Sequence, residues 1–169
     1  MGKSIVIYFS RADENYGVED TTVGNNEILA KEIVRTKNAD EFKIVPVNPY
    51  PADYQSCVEV ATKERDENAR PEYVGDVDLL EYDTIYLGYP IWWGDIPMIV
   101  YNFLEKHSFD GKTIYPFCTH EGSGEAGTFY KVEDAAPGAT VADGFELAGH
   151  ATRTERGIKK LQDWLESNN

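Results

Sequence analysis

Two adjacent tryptophans, Trp92 and Trp93, follow a stretch with the residue types of a buried strand. Residues 84–87 are β-branched and aromatic, and Gly88 and Pro90 are expected to end the strand, which places both tryptophans in a loop. Two large, flat side chains in a loop need either a core beneath them or a planar ligand against them. The sequence therefore indicates an aromatic platform for a ligand, with burial in the core as the alternative for either ring.

The segment 10–26 has the chemistry of a phosphate site. It opens with Ser10 and ends with Gly24, Asn25 and Asn26, directly before a predicted helix. Hydroxyls, amides and free backbone N–H groups at a helix N-terminus bind a phosphate without any cation. The sequence lacks the Gly-Lys-Ser/Thr of triphosphate sites and the Gly-x-Gly-x-x-Gly of dinucleotide sites, so a single phosphate fits better. A polar surface loop capped by Asn25 remains the alternative.

The segment 119–127 contains three glycines, which allow the backbone to approach a ligand closely. His120 can donate a hydrogen bond to a ligand heteroatom, although a lone histidine is more often an ordinary loop residue. Neither His120 nor the two cysteines, Cys57 and Cys118, has the partner spacing of a metal site, and no catalytic side chain stands out. One phosphate, one flat ring and a polar ring edge together describe flavin mononucleotide (FMN) better than other common cofactors.

Length and charge limit the possible functions. The chain of 169 residues has the size of one domain, predicted at 1–169, and its net charge is -14. That charge repels nucleic acid and anionic membranes, whereas it suits transient docking onto basic redox proteins; a solvated surface is the alternative. The sequence shows neither a signal peptide nor a membrane-spanning stretch, so a cytoplasmic location is expected.

The hydrophobic periodicity predicts an alternation of strands and helices. Strands are predicted at 4–9, 41–47, 83–87, 112–118 and 145–148, and helices at 25–38, 53–70, 97–105, 128–135 and after a capping box at 152–155. This alternation implies an α/β fold with a parallel sheet that is covered on both faces. Ligands of such sheets bind beyond the carboxyl ends of the strands, so the loops after strands one, three and four are expected to meet.

Three segments of the sequence resemble bacterial flavodoxins that have an extended first loop. They are Ile-Val-Ile-Tyr-Phe-Ser-Arg at 5–11, Gly-Tyr-Pro-Ile-Trp-Trp-Gly at 88–94 and Pro-Phe-Cys-Thr-His-Glu-Gly-Ser-Gly at 116–124. The resemblance implies a flavodoxin-like three-layer doubly wound sandwich, with a five-stranded parallel sheet of order 2-1-3-4-5. It also implies noncovalent FMN that acts as a one-electron carrier.

The resemblance further implies which residues bind FMN. Those at the phosphate are Ser10, Arg11, Asn15, Tyr16, Gly24, Asn25 and Asn26; those beside the ring are Pro90, Ile91, Trp92, Trp93 and Gly94; those along its other edge are Thr119, His120, Glu121, Gly122, Ser123 and Gly124. The second ring face is either covered by Phe129 or Tyr130, or open.

Other functions of the same fold class have to be weighed. An FMN-dependent NAD(P)H quinone reductase or nitroreductase would use the same cofactor site, and a flavin-free binding module is a further alternative. A receiver domain needs an aspartate where this chain has Gly88, and a low-molecular-weight phosphatase needs a cysteine after the first strand. The acidic charge favours an electron carrier that docks onto basic reductase and acceptor enzymes.

Overall fold

The fold was analysed in a computed structural model that describes residues 3–11, 13–15, 18–21 and 23–168, with only the backbone at 13–15 and 18–21. Its strands are β1 (Lys3–Tyr8), β2 (Asp13–Asn15), β3 (Val18–Thr21), β4 (Asp40–Lys43), β5 (Tyr82–Pro90), β6 (Thr113–His120), β7 (Thr140–Val141) and β8 (Phe145–Ala148). Its α-helices are α1 (Asn25–Lys37), α2 (Tyr54–Asp66), α3 (Met98–Lys106), α4 (Thr128–Ala135) and α5 (Glu155–Ser167), and a 3₁₀-helix, Gly149–Arg153, precedes α5.

The main sheet is parallel, with the order β4-β1-β5-β6 followed by two strands that share the outer edge of β6. Strand β7 pairs with the start of β6, and β8 pairs with its end. The predicted order 2-1-3-4-5 is thus confirmed, with β8 as the fifth strand and β7 as a short addition. Strands β2 and β3 form a separate antiparallel pair within the first loop.

Apolar side chains cover both faces of the sheet, as a buried parallel sheet requires. Along β1, Ile5 and Ile7 belong to the core under α3 and α4, whereas Val6 and Tyr8 belong to the core under α1 and α5. This alternation follows from the two-residue period of a strand. The two cores fix the carboxyl ends of β1, β5 and β6 at one edge, where the three loops begin.

The third strand is longer than predicted, because β5 pairs with β6 through Pro90. The prediction that Gly88 and Pro90 end the ladder is therefore wrong. A Cβ on Gly88 would overlap the ring of Phe117, so the absent side chain serves close packing between strands and not a turn. The loop begins only at residue 91, and both tryptophans still lie in it.

Two further boundaries differ from the predictions. The second predicted strand, β4, ends at Lys43, which is earlier than predicted, and it lies at the edge of the sheet. The cap of α5 is Thr154, whose Oγ accepts a hydrogen bond from the Gly157 N–H at 3.0 Å, so the capping box that begins at Thr152 is wrong. Thr152 is buried in the 3₁₀-helix instead. In the described ranges, no helix has the length and apolar character needed to cross a membrane.

Candidate functional site

A cleft of about 330 Å³ opens at the carboxyl edge of the sheet, bounded on one side by α2. This volume lies within the range of roughly 300–1,000 Å³ that is typical of small-molecule sites. The residues that line it are Arg11, Asn25, Tyr54, Cys57, Val58, Ala61, Pro90, Ile91, Trp92, Trp93, Gly94, Thr119, His120, Glu121 and Ser123.

The cleft brings together predicted residues from all three loops, as expected from the fold. Predicted residues that do not line it are Ser10, Gly24, Asn26, Gly122 and Gly124. Tyr16 and the side chain of Asn15 lie outside the described residues, so their predicted role at the phosphate stays a prediction.

In the first turn of α1, two backbone donors have no acceptor among the described residues, and one of them, the Asn25 N–H, belongs to a residue that lines the cleft. The Glu27 N–H donates to Ser10 Oγ at 3.0 Å, and the Ile28 N–H donates to the Gly24 carbonyl at 3.3 Å. Within the described part of the chain, the N–H groups of Asn25 and Asn26 have no acceptor. A helix N-terminus with free N–H groups attracts anions, so this end of the site suits a phosphate.

Gly24 is the N-cap of α1, and it has to be small. A Cβ at this position would overlap Ser10 Oγ and the carbonyl of Arg11. Ser10 and Arg11, at the start of the first loop, therefore pack directly onto the backbone of the helix N-terminus. A larger residue would push the loop away from the helix.

Asn26 ties the first loop to the third. It is only 1% exposed, and its Nδ2 donates to Thr119 Oγ1 at 2.6 Å. Its Oδ1 finds no donor among the described residues. A buried acceptor without a donor destabilises the folded protein, so a hydrogen-bond donor supplied to this oxygen from elsewhere would be favourable.

Arg11 links the first loop to α2. Its Nη2 donates to the carbonyls of Pro51 at 2.6 Å and Ala52 at 2.7 Å, just before α2 begins. Asp53 caps that helix by accepting from the Ser56 N–H at 2.8 Å, and this backbone hydrogen bond lowers the pKa of the Asp53 carboxyl. Arg11 thus holds the start of α2 against the cleft.

Helix α2 supplies a wall of the cleft that sequence reasoning missed. Four residues of its apolar stripe face the cleft: Tyr54, Cys57, Val58 and Ala61. Their i, i+3, i+4, i+7 spacing is visible in the sequence, but spacing alone does not tell which neighbour a stripe will meet. Burial raises the pKa of the Cys57 thiol, so the thiol stays neutral and serves as an apolar wall.

The two tryptophans stand at the start of a tight two-residue turn. Trp92 and Asp95 exchange two backbone hydrogen bonds, both of 3.0 Å, across Trp93 and Gly94. The central residues have φ angles of 55° and 65°, as in a type I′ turn, where Asn-Gly is the usual pair. A bulky side chain at positive φ is an uncommon and strained choice.

The environments of the two tryptophans differ. The ring of Trp92 is half-buried and meets Phe9 and Tyr50 edge-on, at centroid distances of 5.3 and 5.0 Å. The side chain of Trp93 is 51% exposed, and the Arg65 guanidinium lies 4.8 Å from its ring centroid. Trp92 therefore packs as part of the wall, whereas Trp93 presents its ring at the mouth of the cleft.

The third loop is braced by its own polar groups. His120 Nδ1 accepts from the Gly122 N–H at 3.0 Å, which leaves Nε2 as the protonated, donating nitrogen. Glu146 Oε2 accepts from the Glu125 N–H at 2.8 Å. His120 thus lines the cleft with a ring that the Gly122 N–H orients, and its Nε2 has no acceptor among the described residues.

Neither residue expected to cover the second ring face lines the cleft. Phe129 packs against the core, and Tyr130 is 76% exposed. The additional aromatic residue in the lining is Tyr54, from α2.

Glu121 brings a negative charge close to the N-terminus of α1. A Cβ on Gly149 would overlap both Glu121 Oε1 and the side-chain amide of Asn25, so these groups lie side by side. Burial raises the pKa of the Glu121 carboxyl, and His150 partly opposes this effect. Among the described side chains, no group of three or more His, Cys, Asp or Glu residues could hold a metal ion.

Comparisons with known proteins agree with the fold. The family model described as Flavodoxin matches residues 3–168. A crystal structure of a candidate flavoprotein from Bacteroides eggerthii is 27% identical, with a TM-score of 0.78 over 99% of this chain and 98% of that chain.

Two more distant structures share the fold alone. A flavoprotein from Lactobacillus acidophilus in complex with FMN is 17% identical, with a TM-score of 0.66 over 96% of this chain and 99% of that chain. An NADPH-quinone reductase from P. pentosaceus is 13% identical, with a TM-score of 0.54 over 95% and 93% of the two chains. Among curated proteins, none matches at a significant level.

Proposed function

The chain belongs to the flavodoxin family, and from this premise we propose that it binds FMN noncovalently in the cleft and carries single electrons between redox enzymes. The observation that carries the proposal is the pairing of a helix N-terminus with a tryptophan turn in one cleft. These two features match the two chemically distinct ends of FMN, a phosphate and a flat ring.

The residues present fit the cofactor. The open N–H groups of Asn25 and Asn26 would hold the phosphate, and the helix dipole adds a favourable field. Trp93 would lie against the ring, and His120 would donate to a ring heteroatom through Nε2. FMN, when bound, supplies the capacity to accept and release electrons.

Two features of the chain favour an electron carrier. Trp93 is half exposed at the mouth of the cleft, so a group next to it lies within reach of a docked protein. The net charge of -14 favours fast, salt-sensitive association with basic partners. Neither feature requires the site to enclose a substrate, as the site of a reductase would.

One observation favours a second candidate, an FMN-dependent NAD(P)H quinone reductase or nitroreductase. The cleft continues past Trp93 into a shallow groove along α2, and the two spaces share Val58 and Trp93 as lining residues. A small substrate bound in this groove would lie next to the cofactor. The electron carrier remains the preferred function because the groove is open and its rim is polar and charged.

Cofactor binding is tested on the purified apoprotein. Titration with FMN, riboflavin and FAD, followed by flavin fluorescence, should show quenching and the tightest binding for FMN. Release of the native cofactor by denaturation should yield FMN and not FAD. Apoprotein that neither binds FMN nor quenches its fluorescence would rule out the proposed function.

A second experiment separates the carrier from the reductase. Stepwise reductive titration of the FMN-loaded protein should show two separate one-electron steps for a carrier, and NAD(P)H alone should not reduce it at a useful rate. A single two-electron step, together with turnover of quinones or nitroaromatics by NAD(P)H and this protein alone, would establish the reductase instead.

A further inference from the structure

Arg153 lies beside the N-terminus of α1, although 128 residues separate it from Asn25 in sequence. It ends the 3₁₀-helix that connects β8 to α5. Its Nη2 donates to the carbonyl of Val23 at 2.8 Å, and its Nη1 donates to Asn25 Oδ1. The guanidinium therefore spans Gly24, which is the N-cap of α1.

The start of the same 3₁₀-helix also packs against Asn25. Because Gly149 has no side chain, its backbone approaches the side-chain amide of Asn25 closely. Asn25 is thus held by Arg153 at its oxygen, while its nitrogen packs closely against Gly149. A rigid, planar fork that bridges a carbonyl and an amide oxygen fixes both acceptors in one geometry.

The charge of Arg153 is unusual at this position. A cation at the N-terminus of a helix opposes the helix dipole, which favours anions there. Among the described side chains, no carboxylate forms an ion pair with Arg153. Its positive charge adds to that of the helix end at the place where the N–H groups of Asn25 and Asn26 remain open.

We infer that Arg153 is the positioning residue of the phosphate site and that it gives the site its selectivity for phosphorylated over unphosphorylated flavin. It holds the Val23 carbonyl and the Asn25 side chain so that the first turn of α1 presents its N–H groups, and its charge favours the phosphate dianion. This inference rests on the proposed function, because it assumes that flavin binds in the cleft with its phosphate at this end.

The test measures FMN and riboflavin affinity for the wild-type protein and three variants. Arg153→Gln should weaken FMN by roughly tenfold or more and leave riboflavin nearly unchanged, because only FMN carries the phosphate. Arg153→Lys keeps the charge but loses the fork, so its FMN affinity should be intermediate. Raising the salt concentration should weaken FMN less in Arg153→Gln than in wild type, since a charge interaction has been removed.

Arg156→Gln is the matched control, since it removes the same charge three residues further along. Arg156 is exposed in the first turn of α5, and it forms no hydrogen bond or ion pair with any described side chain. It should alter the FMN affinity less than twofold, and unfolding of each apoprotein by urea checks that the fold is intact. If Arg153→Gln does not fold, Arg153→Lys carries the test alone.

The possible outcomes are distinguishable. The inference would be overturned if Arg153→Gln and Arg156→Gln had the same FMN-to-riboflavin selectivity, or if Arg153→Gln lost affinity for both flavins equally. The proposed function would stand in either case. If only Arg153→Lys folds, an FMN-to-riboflavin ratio equal to that of wild type would overturn it as well. Wild-type protein that binds neither flavin would instead overturn the proposed function itself.

Discussion

At the scale of single residues, the site combines groups that attract a phosphate with one that repels it. The open N–H groups of α1 and the Arg153 guanidinium attract an anion, whereas the Glu121 carboxylate lies beside Asn25 and opposes one. Removing this carboxylate charge while keeping the shape of the side chain isolates its effect.

Glu121→Gln should therefore tighten FMN binding. Two like charges a few ångströms apart near a protein surface repel each other by about 1 kcal/mol or more, which corresponds to roughly a fivefold lower Kd. The Kd for FMN at neutral pH, measured by fluorescence quenching, checks this. Riboflavin, which lacks the phosphate, provides the comparison, and its Kd should change little. A weaker FMN complex would show that Glu121 contributes a favourable contact.

The same substitution should change how stability depends on pH. Because burial raises the folded-state pKa of Glu121 above its unfolded value, the folded state binds more protons, and stability falls as the pH rises through the interval between the two values. Urea unfolding of the apoprotein from pH 4 to pH 7 should show a smaller decline with pH in Glu121→Gln than in wild type. An identical pH profile would contradict the assignment.

At the scale of elements, the turn from Trp92 to Asp95 contains a residue that is unfavourable for its backbone conformation. Trp93 occupies a left-handed position for which Asn or Gly is the better residue. Relief of this strain, about 1–2 kcal/mol, offsets the loss of the Arg65 contact, about 0.5–1 kcal/mol.

Trp93→Asn should accordingly leave the free energy of unfolding within about 1 kcal/mol of wild type and weaken FMN by about 1–3 kcal/mol. Trp92→Ala is the matched comparison, because its ring packs against Phe9 and Tyr50; it should lower the free energy of unfolding by about 3 kcal/mol. Urea unfolding of the apoprotein and FMN titration measure both quantities. Equal destabilisation by the two substitutions would mean that Trp93 is structural too.

The hydrogen bond between Asn26 and Thr119 joins two elements, α1 and β6. Thr119→Val keeps the shape but removes the acceptor, so it leaves a buried Asn26 donor unpaired and should cost about 1–3 kcal/mol of unfolding free energy. A double-mutant cycle with Asn26→Ala should be non-additive by at least about 0.5 kcal/mol, since both changes remove one bond. Additive effects would mean that the bond contributes nothing to stability.

At the scale of the whole molecule, the net charge of -14 predicts that association with basic partner proteins depends on salt concentration. The rate at which a basic flavoprotein reductase reduces the FMN-loaded protein should fall as salt increases, because screening shortens the Debye length from about 30 Å at 0.01 M to about 3 Å at 1 M. Stopped-flow kinetics at several ionic strengths checks this. Photochemical reduction without a protein partner is the control, and it should depend little on salt. A rate that does not change with salt would exclude electrostatic docking.

The sequence by itself determined the five main strands, the five α-helices and their order along the chain, but not the short strands β2, β3 and β7. Helix α4 begins and ends where the periodicity predicts, and the placement of the three loops at one edge follows from the parallel sheet. Helices and strands depend on hydrophobic periodicity within about ten neighbouring residues, and this periodicity can be identified from the sequence without the structure.

The tertiary structure alone decided that α2 forms a wall of the cleft and that Arg153 lies at the N-terminus of α1. In the sequence, the apolar stripe of α2 has the pattern of any helix that packs on a core, and only the structure shows that it borders the cleft. Arg153 likewise has the appearance of an ordinary surface charge, and only the structure shows its contacts with Val23 and Asn25. Gly88 has the sequence signature of a turn, but the ring of Phe117 on the adjacent strand requires a glycine there. Contacts between residues far apart in the chain depend on how complete side chains pack in three dimensions, and no local pattern encodes that packing.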